Sequence, residues 1–279
     1  MRATLWGTRG SLPNAGPETV RYGGNTSCVE VRGANGTVLV LDAGTGIRRL
    51  GAYLNGSVKR VDLLLTHLHM DHIQGLGFFG PLYRPGMEVH VWGPPSSTMN
   101  LRARLARYLS PPLFPVRIRD LPCSLTFHDV HPGEFEIGEF HIQADQVSHP
   151  GPTLGFRISE NGGTLAYIPD HEPVIGGGPL PADGSWMSGF SIADGADVLI
   201  HDSQYSCGEY PEHMGWGHTY VEQTLRFADV TGARKLVTFH HDPAHDDSVL
   251  DRILEEALRA FRPECAIQPG QEGAVLDIG

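Results

Sequence analysis

Apolar residues along this chain gather in short runs that glycine, proline and polar residues interrupt, and such runs predict β-strands. Helical spacing replaces this pattern at residues 47–54, from residue 73 onward, and at 97–109, 219–228 and 247–262, with Asp247 as the cap of the last helix. The strands come first in pairs and then alternate with helices, twice over. This order favours two mixed sheets packed face to face with helices on the outer faces. The predicted strands are 3–6, 27–32, 37–41, 61–65, 89–92, 140–144, 154–158, 164–168, 196–200 and 236–239.

The size and composition of the chain predict one globular domain over residues 1–279, because no polar linker divides it. Hydrophobic residues make up 40% and charged residues 19%, which is typical of a chain with a substantial core. No apolar run is long enough to span a membrane and the N-terminus lacks a signal-peptide pattern, so we expect a cytoplasmic location and no membrane partner. The four cysteines are dispersed and form no C-x-x-C pair, so neither a disulfide framework nor a thiolate zinc site is predicted.

The formal net charge of −11 bears on the choice of partner. Binding to a nucleic-acid backbone is driven by Lys and Arg that displace counterions, and this chain has few of them to offer. We therefore expect a small-molecule substrate and no nucleic-acid polymer. The three arginines within 97–109 indicate a solvated helix face. A homodimer is compatible with the sequence, which does not determine the oligomeric state.

One segment carries more metal-binding side chains than packing explains. His67, His69, Asp71 and His72 directly follow the predicted buried strand 61–65. Imidazoles and carboxylates at this density are typical of zinc and related transition-metal sites. An extended backbone directs His67 and His69 to the same side, where they can share a metal. If Asp71 caps a helix that begins near His72, both of these side chains turn toward a second position, so two metals are predicted.

The pattern His67-x-His69-x-Asp71-His72 resembles the signature of the metallo-β-lactamase fold superfamily, whose members are mostly dinuclear metallohydrolases. The resemblance implies an α/β fold, the αββα sandwich. It also implies further ligands in the order His, Asp, His at strand ends, and His149, Asp170 and His240 match that order.

Carried over position by position, the resemblance divides these residues between two metals. The first two histidines of the signature would bind one metal with His149. The aspartate and the last histidine of the signature would bind the other with His240, and Asp170 would bridge them. The expected cofactors are two divalent metal ions, with zinc favoured and manganese or iron also suited to such ligands.

For the pair His240 and His241, and for Asp42, the sequence allows alternative roles. His241 competes with His240, because alternation along an extended strand sends the two side chains to opposite faces and only one can be a ligand. We favour His240. Asp42 follows a predicted strand, where the resembled superfamily has an aspartate that supports the metal-binding loop, although it could equally be a turn residue.

A further histidine is expected to act in the chemistry without binding metal. His218 lies in the segment Gly215-Trp216-Gly217-His218-Thr219 at the start of a predicted helix, where the helix dipole and free N–H groups favour anions. This segment resembles the transfer-RNA 3′-processing endonuclease branch and its cyclic phosphodiesterase relatives, in which the equivalent histidine contacts the scissile phosphate. The alternative is a turn histidine without a catalytic role. Asp71 is expected to act in catalysis as well as in metal binding.

These observations favour a dinuclear metal-dependent hydrolase, a phosphodiesterase that cleaves a small, cyclic phosphodiester with a metal-bridging hydroxide as nucleophile. RNA-processing members of the resembled branch insert an arm between the third motif and the bridging aspartate, whereas the segment from His149 to Asp170 is short here. The alternative is a lactonase or thioesterase, and an RNA-processing nuclease or a metal-free binding module is less favoured. The sequence leaves open whether residues 171–195 form a lid and what His171 and His201 do.

Overall fold

The computed structural model describes residues 1–54, 56–181 and 184–279. Within them no helix combines the length and the apolar character that crossing a bilayer requires. The helices are α1 (Ile47–Leu54), α2 (Met70–Ile73), α3 (Leu101–Ala106), α4 (Phe190–Ala193), α5 (Val221–Val230) and α6 (Asp247–Ala260). The strands are β1 (Arg2–Gly7), β2 (Cys28–Arg32), β3 (Val38–Leu41), β4 (Arg60–Leu64), β5 (Glu88–Gly93), β6 (Ser124–Asp129), β7 (Gly133–Ile137), β8 (Phe140–Gln146), β9 (Leu154–Glu160), β10 (Gly163–Ile168), β11 (Val198–Asp202), β12 (Lys235–Phe239), β13 (Ala266–Pro269) and β14 (Val275–Asp277).

The described strands form two sheets of seven. The first has the order β14-β1-β2-β3-β4-β5-β6, parallel from β3 to β6 and antiparallel elsewhere. The second has the order β13-β12-β11-β10-β9-β8-β7, parallel from β10 to β13 and antiparallel elsewhere. Parallel strands are covered on both faces, which explains why β3 is apolar throughout and shows no polar alternation.

The core lies in three layers that match this architecture. The central cluster joins the two sheets and includes Leu41 and Leu64 from the first and Phe156, Ile200 and Phe239 from the second. A second cluster packs α1 and α3 on the outer face of the first sheet, and a third packs α4, α5 and α6 on the outer face of the second. The predicted αββα sandwich is therefore confirmed.

Three predicted helix limits are wrong. The helix predicted near His72 is the single turn α2, which begins at Met70, so His69 and not Asp71 occupies the N-cap position. The helix predicted at 97–109 is only the short α3, because the side chain of Asn100 caps it by accepting the N–H of Ala103 at 2.9 Å. A capping side chain sets the start of α3, and apolar spacing does not report such a cap.

Two other predictions need correction. Asp246, not Asp247, caps α6, since its carboxylate accepts the N–H groups of Ser248 and Val249, each at 2.8 Å. The sequence from Pro115 to Asp145 predicts short antiparallel strands, but β6 pairs in parallel with β5 at the edge of the first sheet. Only β7 and β8 pair antiparallel in this region.

The carboxyl ends of the parallel strands in both sheets meet at one edge of the sandwich. β3 and β4 end there with Leu41 beside Leu64, and β11 and β12 end there with Asp202 beside Phe239. The backbone N–H of Leu154 donates to the carbonyl of Thr66 at 2.9 Å, which links the loop after β4 to the second sheet. Side chains that follow these strands are therefore brought together.

Candidate metal centre

The loop after β4 and the turn after β8 bring the first three histidines together. One ligand nitrogen from each of His67, His69 and His149 lies within 4.8 Å of the others. His149 Nε2 is 3.2 Å from His69 Nδ1. His149 Nδ1 donates to the carbonyl of Gly217 at 2.8 Å, so the neutral ring keeps its lone pair on Nε2, toward His69. His69 is exposed, so this side of the cluster opens to solvent.

A second, fully buried group forms from the end of the same loop and from two strand ends. Ligand atoms of Asp71, His72, Asp170 and His240 lie within 4.8 Å of one another. His72 Nε2 is 3.0 Å from Asp170 Oδ1, and His240 Nε2 is 3.1 Å from Asp71 Oδ2. The structure therefore gathers all seven residues that the sequence singled out, in the two sets that the resemblance implied.

Asp170 lies between the two groups. Its Oδ1 faces His72, and its Oδ2 is 3.3 Å from His240 Nε2 in the second group. The same Oδ2 is 3.7 Å from His67 Nε2 and 3.9 Å from His149 Nε2 in the first group. One carboxylate thus reaches ligand atoms of both sets, which is the geometry that a bridging ligand needs.

The hydrogen bonds of the two histidines in the buried group leave ring nitrogens whose lone pairs suit a bound cation. His72 Nδ1 donates to Asp42 Oδ2 at 2.8 Å, and His240 Nδ1 donates to the side-chain oxygen of Gln204 at 2.8 Å. In the neutral rings the lone pairs are then on the two Nε2 atoms, which face each other at 3.3 Å. Two facing lone pairs repel unless a cation or a proton lies near both, so this arrangement suits a bound metal ion.

Two buried atoms in the cluster add to this fit. His67 Nε2 and Asp170 Oδ1 are buried and have no hydrogen-bond partner among the described residues. The Nδ1 of His67 is 3.1 Å from the hydroxyl of Thr66, which itself donates to Asp42, so His67 presents its Nε2 lone pair to the cluster. An unpaired buried acceptor is costly unless an ion satisfies it. The donor set of imidazoles and carboxylates therefore fits two divalent transition-metal ions.

The charges within the cluster shift its pKa values in opposite directions. Burial lowers the pKa of His67 well below its usual range. Burial also opposes a charge on His240, but Asp170 and Asp71 outweigh it and raise the pKa of His240 to about 9. Burial alone would raise the pKa of Asp170, yet His240 and His72 hold it well below its usual range. The carboxylates are therefore ionised and ready to bind a cation.

Asp42 supports the loop that carries the signature. Its Oδ1 accepts the backbone N–H of Thr66 at 2.8 Å, and its Oδ2 accepts His72 Nδ1. The hydroxyl of Tyr167 donates to the same Oδ2 at 2.9 Å. Asp42 thus fixes the ring of His72 and the start of the loop together, the supporting arrangement that the sequence left undecided.

His240 and His241 have opposite surroundings, although not for the reason that the sequence suggested. β12 ends at Phe239, and His240 has a left-handed backbone with φ 59°, so the two histidines are not on a regular strand. His240 enters the buried group, whereas His241 Nε2 donates to the carbonyl of Gly270 at 3.0 Å. Burial lowers the pKa of His241 to about 3.

We expect His240→Ala to cost one metal ion per chain and His241→Ala to leave both bound. The His240 variant lacks a ligand atom. The His241 variant lacks only a hydrogen bond and packing, which lowers its folding stability by about 2 kcal/mol. Elemental analysis and thermal unfolding of the two variants, purified in parallel, measure both effects. Loss of metal from the His241 variant instead would mean that the ligand is assigned one position too early.

His218 lies beside the cluster and is held by an aspartate that sequence reasoning missed. Its Nδ1 is 2.7 Å from Asp202 Oδ2, and its ring stacks on that of His240 with centroids 4.8 Å apart. Asp202 is fully buried and also accepts the backbone N–H groups of His171 and Gln204. Asp202 ends β11, so the strand-end signal that identified Asp170 could have found it.

A second carboxylate, Glu172, was also missed. It is buried, and its two oxygens accept the N–H groups of Gly215 and Gly217, each at 3.0 Å. Gly217 has φ 87° and in turn provides the carbonyl that orients His149. Glu172 therefore holds the loop that precedes His218 against the first group. No local pattern in the sequence announces such a contact, because it joins a side chain to a distant backbone.

His171 and His201 form a separate buried pair outside the metal centre. His171 Nδ1 is 2.9 Å from His201 Nε2, and His201 Nδ1 donates to the carbonyl of Asp202 at 2.9 Å. Burial lowers the pKa of His201 to about 4, so this pair is neutral and structural. His171 and Glu172 are buried, so residues 171–195, the segment considered as a lid, begin inside the protein. α4 lies near the end of this segment, and residues 182 and 183 lie outside the described part of the chain.

The comparisons with known proteins agree with this geometry. A family model described as the Beta-lactamase superfamily domain matches residues 37–241, the range that contains the whole cluster. The chain belongs to the metallo-β-lactamase superfamily. This match confirms the family predicted from the signature. The protein is therefore a metal-dependent hydrolase that uses divalent ions.

Individual relatives cover nearly the whole chain. A protein named Ribonuclease Z from Myxococcus xanthus is 25% identical over 303 aligned positions, covering 94% of this chain and 93% of the relative. A solved structure of a diphosphatase from the PhnP family has a TM-score of 0.70 at 17% identity, covering 100% of this chain and 98% of that one. Human tRNase Z, short form, has a TM-score of 0.67 at 21% identity and covers 100% of both chains.

Proposed function

We propose that this hydrolase is a phosphodiesterase whose substrate is a small phosphodiester, a cyclic one in the favoured case. The observation that carries this proposal is the Asp202–His218 pair beside seven clustered metal-ligand candidates. A cation site suits a phosphate anion, and an imidazole next to it suits the alkoxide that leaves when a P–O bond breaks. The names of the relatives, Ribonuclease Z and diphosphatase, support the same class of bond.

The chain's own residues divide the remaining work. Two bound divalent ions, zinc in our proposal, would supply charge neutralisation and an activated water. Because the Nδ1 proton of His218 is donated to Asp202, Nε2 is the atom that holds the proton for the leaving oxygen. The backbone N–H of Ser11 donates to Asp71 Oδ2 at 2.8 Å and fixes that carboxylate, so Oδ1 can accept a proton from the attacking water.

RNA is the competing substrate, because relatives of nearly equal length are named Ribonuclease Z. Our proposal is a small-molecule substrate and not a nucleic-acid polymer. It is supported by the net charge of −11 and by the tight turn between β9 and β10, which leaves no arm between His149 and Asp170. Asn161 has φ 50° within this turn, as short hairpin turns require.

We also propose that residues 1–279 act as one hydrolase domain in the cytoplasm. The first and last segments pair, since the N–H of Ile278 donates to the carbonyl of Met1 at 3.0 Å. All four cysteines are free thiols, as is usual in a reducing compartment.

The purified protein is expected to carry about two transition-metal ions per chain, because the two groups offer ligands for two sites. Elemental analysis after gentle purification, and again after reconstitution with zinc, manganese or iron, measures the number and the preference. Only trace metal under both conditions would contradict the proposal.

The substrate class is tested by hydrolysis assays on protein of known metal content. The panel contains bis-p-nitrophenyl phosphate, cyclic nucleotides, a precursor transfer RNA, a lactone and a thioester. We expect turnover of the diesters and of at least one cyclic nucleotide. Faster turnover of the transfer RNA would favour a nuclease function. Turnover of only the lactone or the thioester would favour a lactonase or thioesterase instead of a phosphodiesterase.

A further inference from the structure

A groove of about 850 Å³ runs along the loop that carries the signature, although none of the seven candidate ligands lines it. One wall carries Leu68 and Met70, which alternate along the chain with the candidate ligands of the signature. The lining also includes Leu113, Pro152 and residues of α3 and the turn that follows it. A group bound in this groove therefore contacts the loop that carries the signature. The volume lies within the usual range for small-molecule sites.

The groove is lined by apolar side chains together with two arginines. Met70 is 51% and Leu113 70% exposed, an unusual exposure for large apolar side chains that share one cavity. Arg104 and Arg107 line the same groove, in a chain whose net charge is −11. Positive charge concentrated here is complementary to an anion.

The two arginines differ in how far they are already engaged. Arg104 donates to the carbonyl of Pro94 and lies 3.7 Å from Asp129 Oδ1, while its Nε is buried without a hydrogen-bond partner among the described residues. Arg107 is exposed, and within the described part of the chain no carboxylate lies within 4.0 Å of its guanidinium. The free charge of Arg107 is thus available to a ligand in the groove.

We propose that this groove binds the organic group esterified to the phosphate of the substrate, an aromatic or otherwise apolar group of about nucleoside size that carries a further negative charge. The apolar side chains of the groove contact the flat group, and Arg107 pairs with the charge. This inference rests on the proposed phosphodiesterase function and adds its substrate class. The three arginines within 97–109 then do not form one solvated helix face as predicted from the sequence, because Arg107 borders the groove and Arg102 borders a different cavity.

Binding is measured by titration calorimetry of the metal-loaded protein with methyl phosphate, 1-naphthyl phosphate and 4-sulfo-1-naphthyl phosphate. We expect the affinity to rise about tenfold or more from the methyl to the naphthyl ester, and again with the sulfonate. Leu113→Asp should remove the gain from the naphthyl group, with Leu113→Ser as a milder second variant. Arg107→Gln should remove only the gain from the sulfonate.

Matched controls lie elsewhere on the surface. Arg102→Gln removes an arginine from the same helix, and Val20→Asp changes an apolar residue that is 75% exposed. Both controls should bind all three ligands like the wild type. Equal affinities for the three ligands in the wild type, or equal losses in variants and controls, would overturn the groove assignment.

Kinetics separate this inference from the proposed function. The wild type should hydrolyse 1-naphthyl p-nitrophenyl phosphate with a lower KM than methyl p-nitrophenyl phosphate, and Leu113→Asp should cancel the difference. If both esters are hydrolysed with equal KM and the variants have the same KM as the wild type, the groove assignment is refuted and the phosphodiesterase function is retained. If the three ligands bind as expected but neither ester is hydrolysed, the phosphodiesterase function is refuted and the groove assignment is retained. If Leu113→Asp instead converts a dimer to a monomer in sedimentation, with ligand affinity unchanged, the groove is an interface between copies and the assignment fails.

Discussion

Asp170→Ala should lower metal occupancy in both sites and reduce phosphodiester turnover by about a thousandfold. Its carboxylate reaches His72 and His240 on one side and His67 and His149 on the other, at 3.0 to 3.9 Å. Removing it takes a ligand from both ions and a negative charge from between them. Metal centres contribute several kcal/mol of charge stabilisation to such reactions, and each 1.4 kcal/mol corresponds to a factor of ten.

Three measurements make this test specific. Elemental analysis gives the occupancy, a titration with bis-p-nitrophenyl phosphate gives turnover, and thermal unfolding with and without added metal gives the stabilisation by the ions. Metal should raise the Tm of the wild type clearly and that of the variant little, because binding to the folded state alone sets this shift. Asp197→Ala is a matched control, since this aspartate pairs with Arg234 at the other end of β11. Full occupancy in the Asp170 variant would contradict bridging.

His218→Ala should keep both metals yet reduce turnover about a hundredfold or more, the usual scale for a general acid. Asp202 holds its Nδ1 at 2.7 Å, and the ring lies against His240, so the side chain is positioned at the cluster without being needed to complete either ligand set. Removing it takes away the proton for the leaving oxygen and leaves the ligands in place.

The leaving group decides whether His218 acts as an acid. A p-nitrophenolate needs little protonation, whereas an alkoxide or a ribose oxygen needs a full proton, so the loss should be smaller for the p-nitrophenyl diester. Asp202→Asn should show the same dependence more weakly, because the imidazole remains but its tautomer is no longer held. His141→Ala, an exposed histidine of β8, is the control for surface histidines. Equal losses on both kinds of ester would instead assign His218 to phosphate binding, and wild-type turnover on both would remove it from the site.

Much of the fold could be predicted from residues near one another in the sequence. The apolar runs of β3, β4, β10, β11 and β12 are visible because parallel strands are buried on both faces. The helix ends were predicted less well. Asn100 caps its helix by accepting one backbone N–H and Asp246 by accepting two, and several polar residues in each region could have done so.

The residues of the candidate site also differ in how far the local sequence predicted them. His67, His69, Asp71 and His72 lie in one short segment, so their density alone indicated a metal. Their partners come from distant strands, and the resemblance to a known family was needed to select His149, Asp170 and His240 among fifteen histidines and many more carboxylates. Asp202 and Glu172 were not selected, since both act through contacts with residues far along the chain.

The sequence by itself determined that this chain is a sandwich of two sheets with a metal-binding loop after a buried strand, because apolar periodicity and ligand density are local properties. Only the tertiary structure decided which atoms meet. It turned His240 inward through a left-handed backbone at the end of β12, set the tautomers of His72 and His149 through Asp42 and Gly217, and placed a groove beside the loop. These features depend on the packing of strand ends from both sheets at one edge, and that packing is a property of the whole chain.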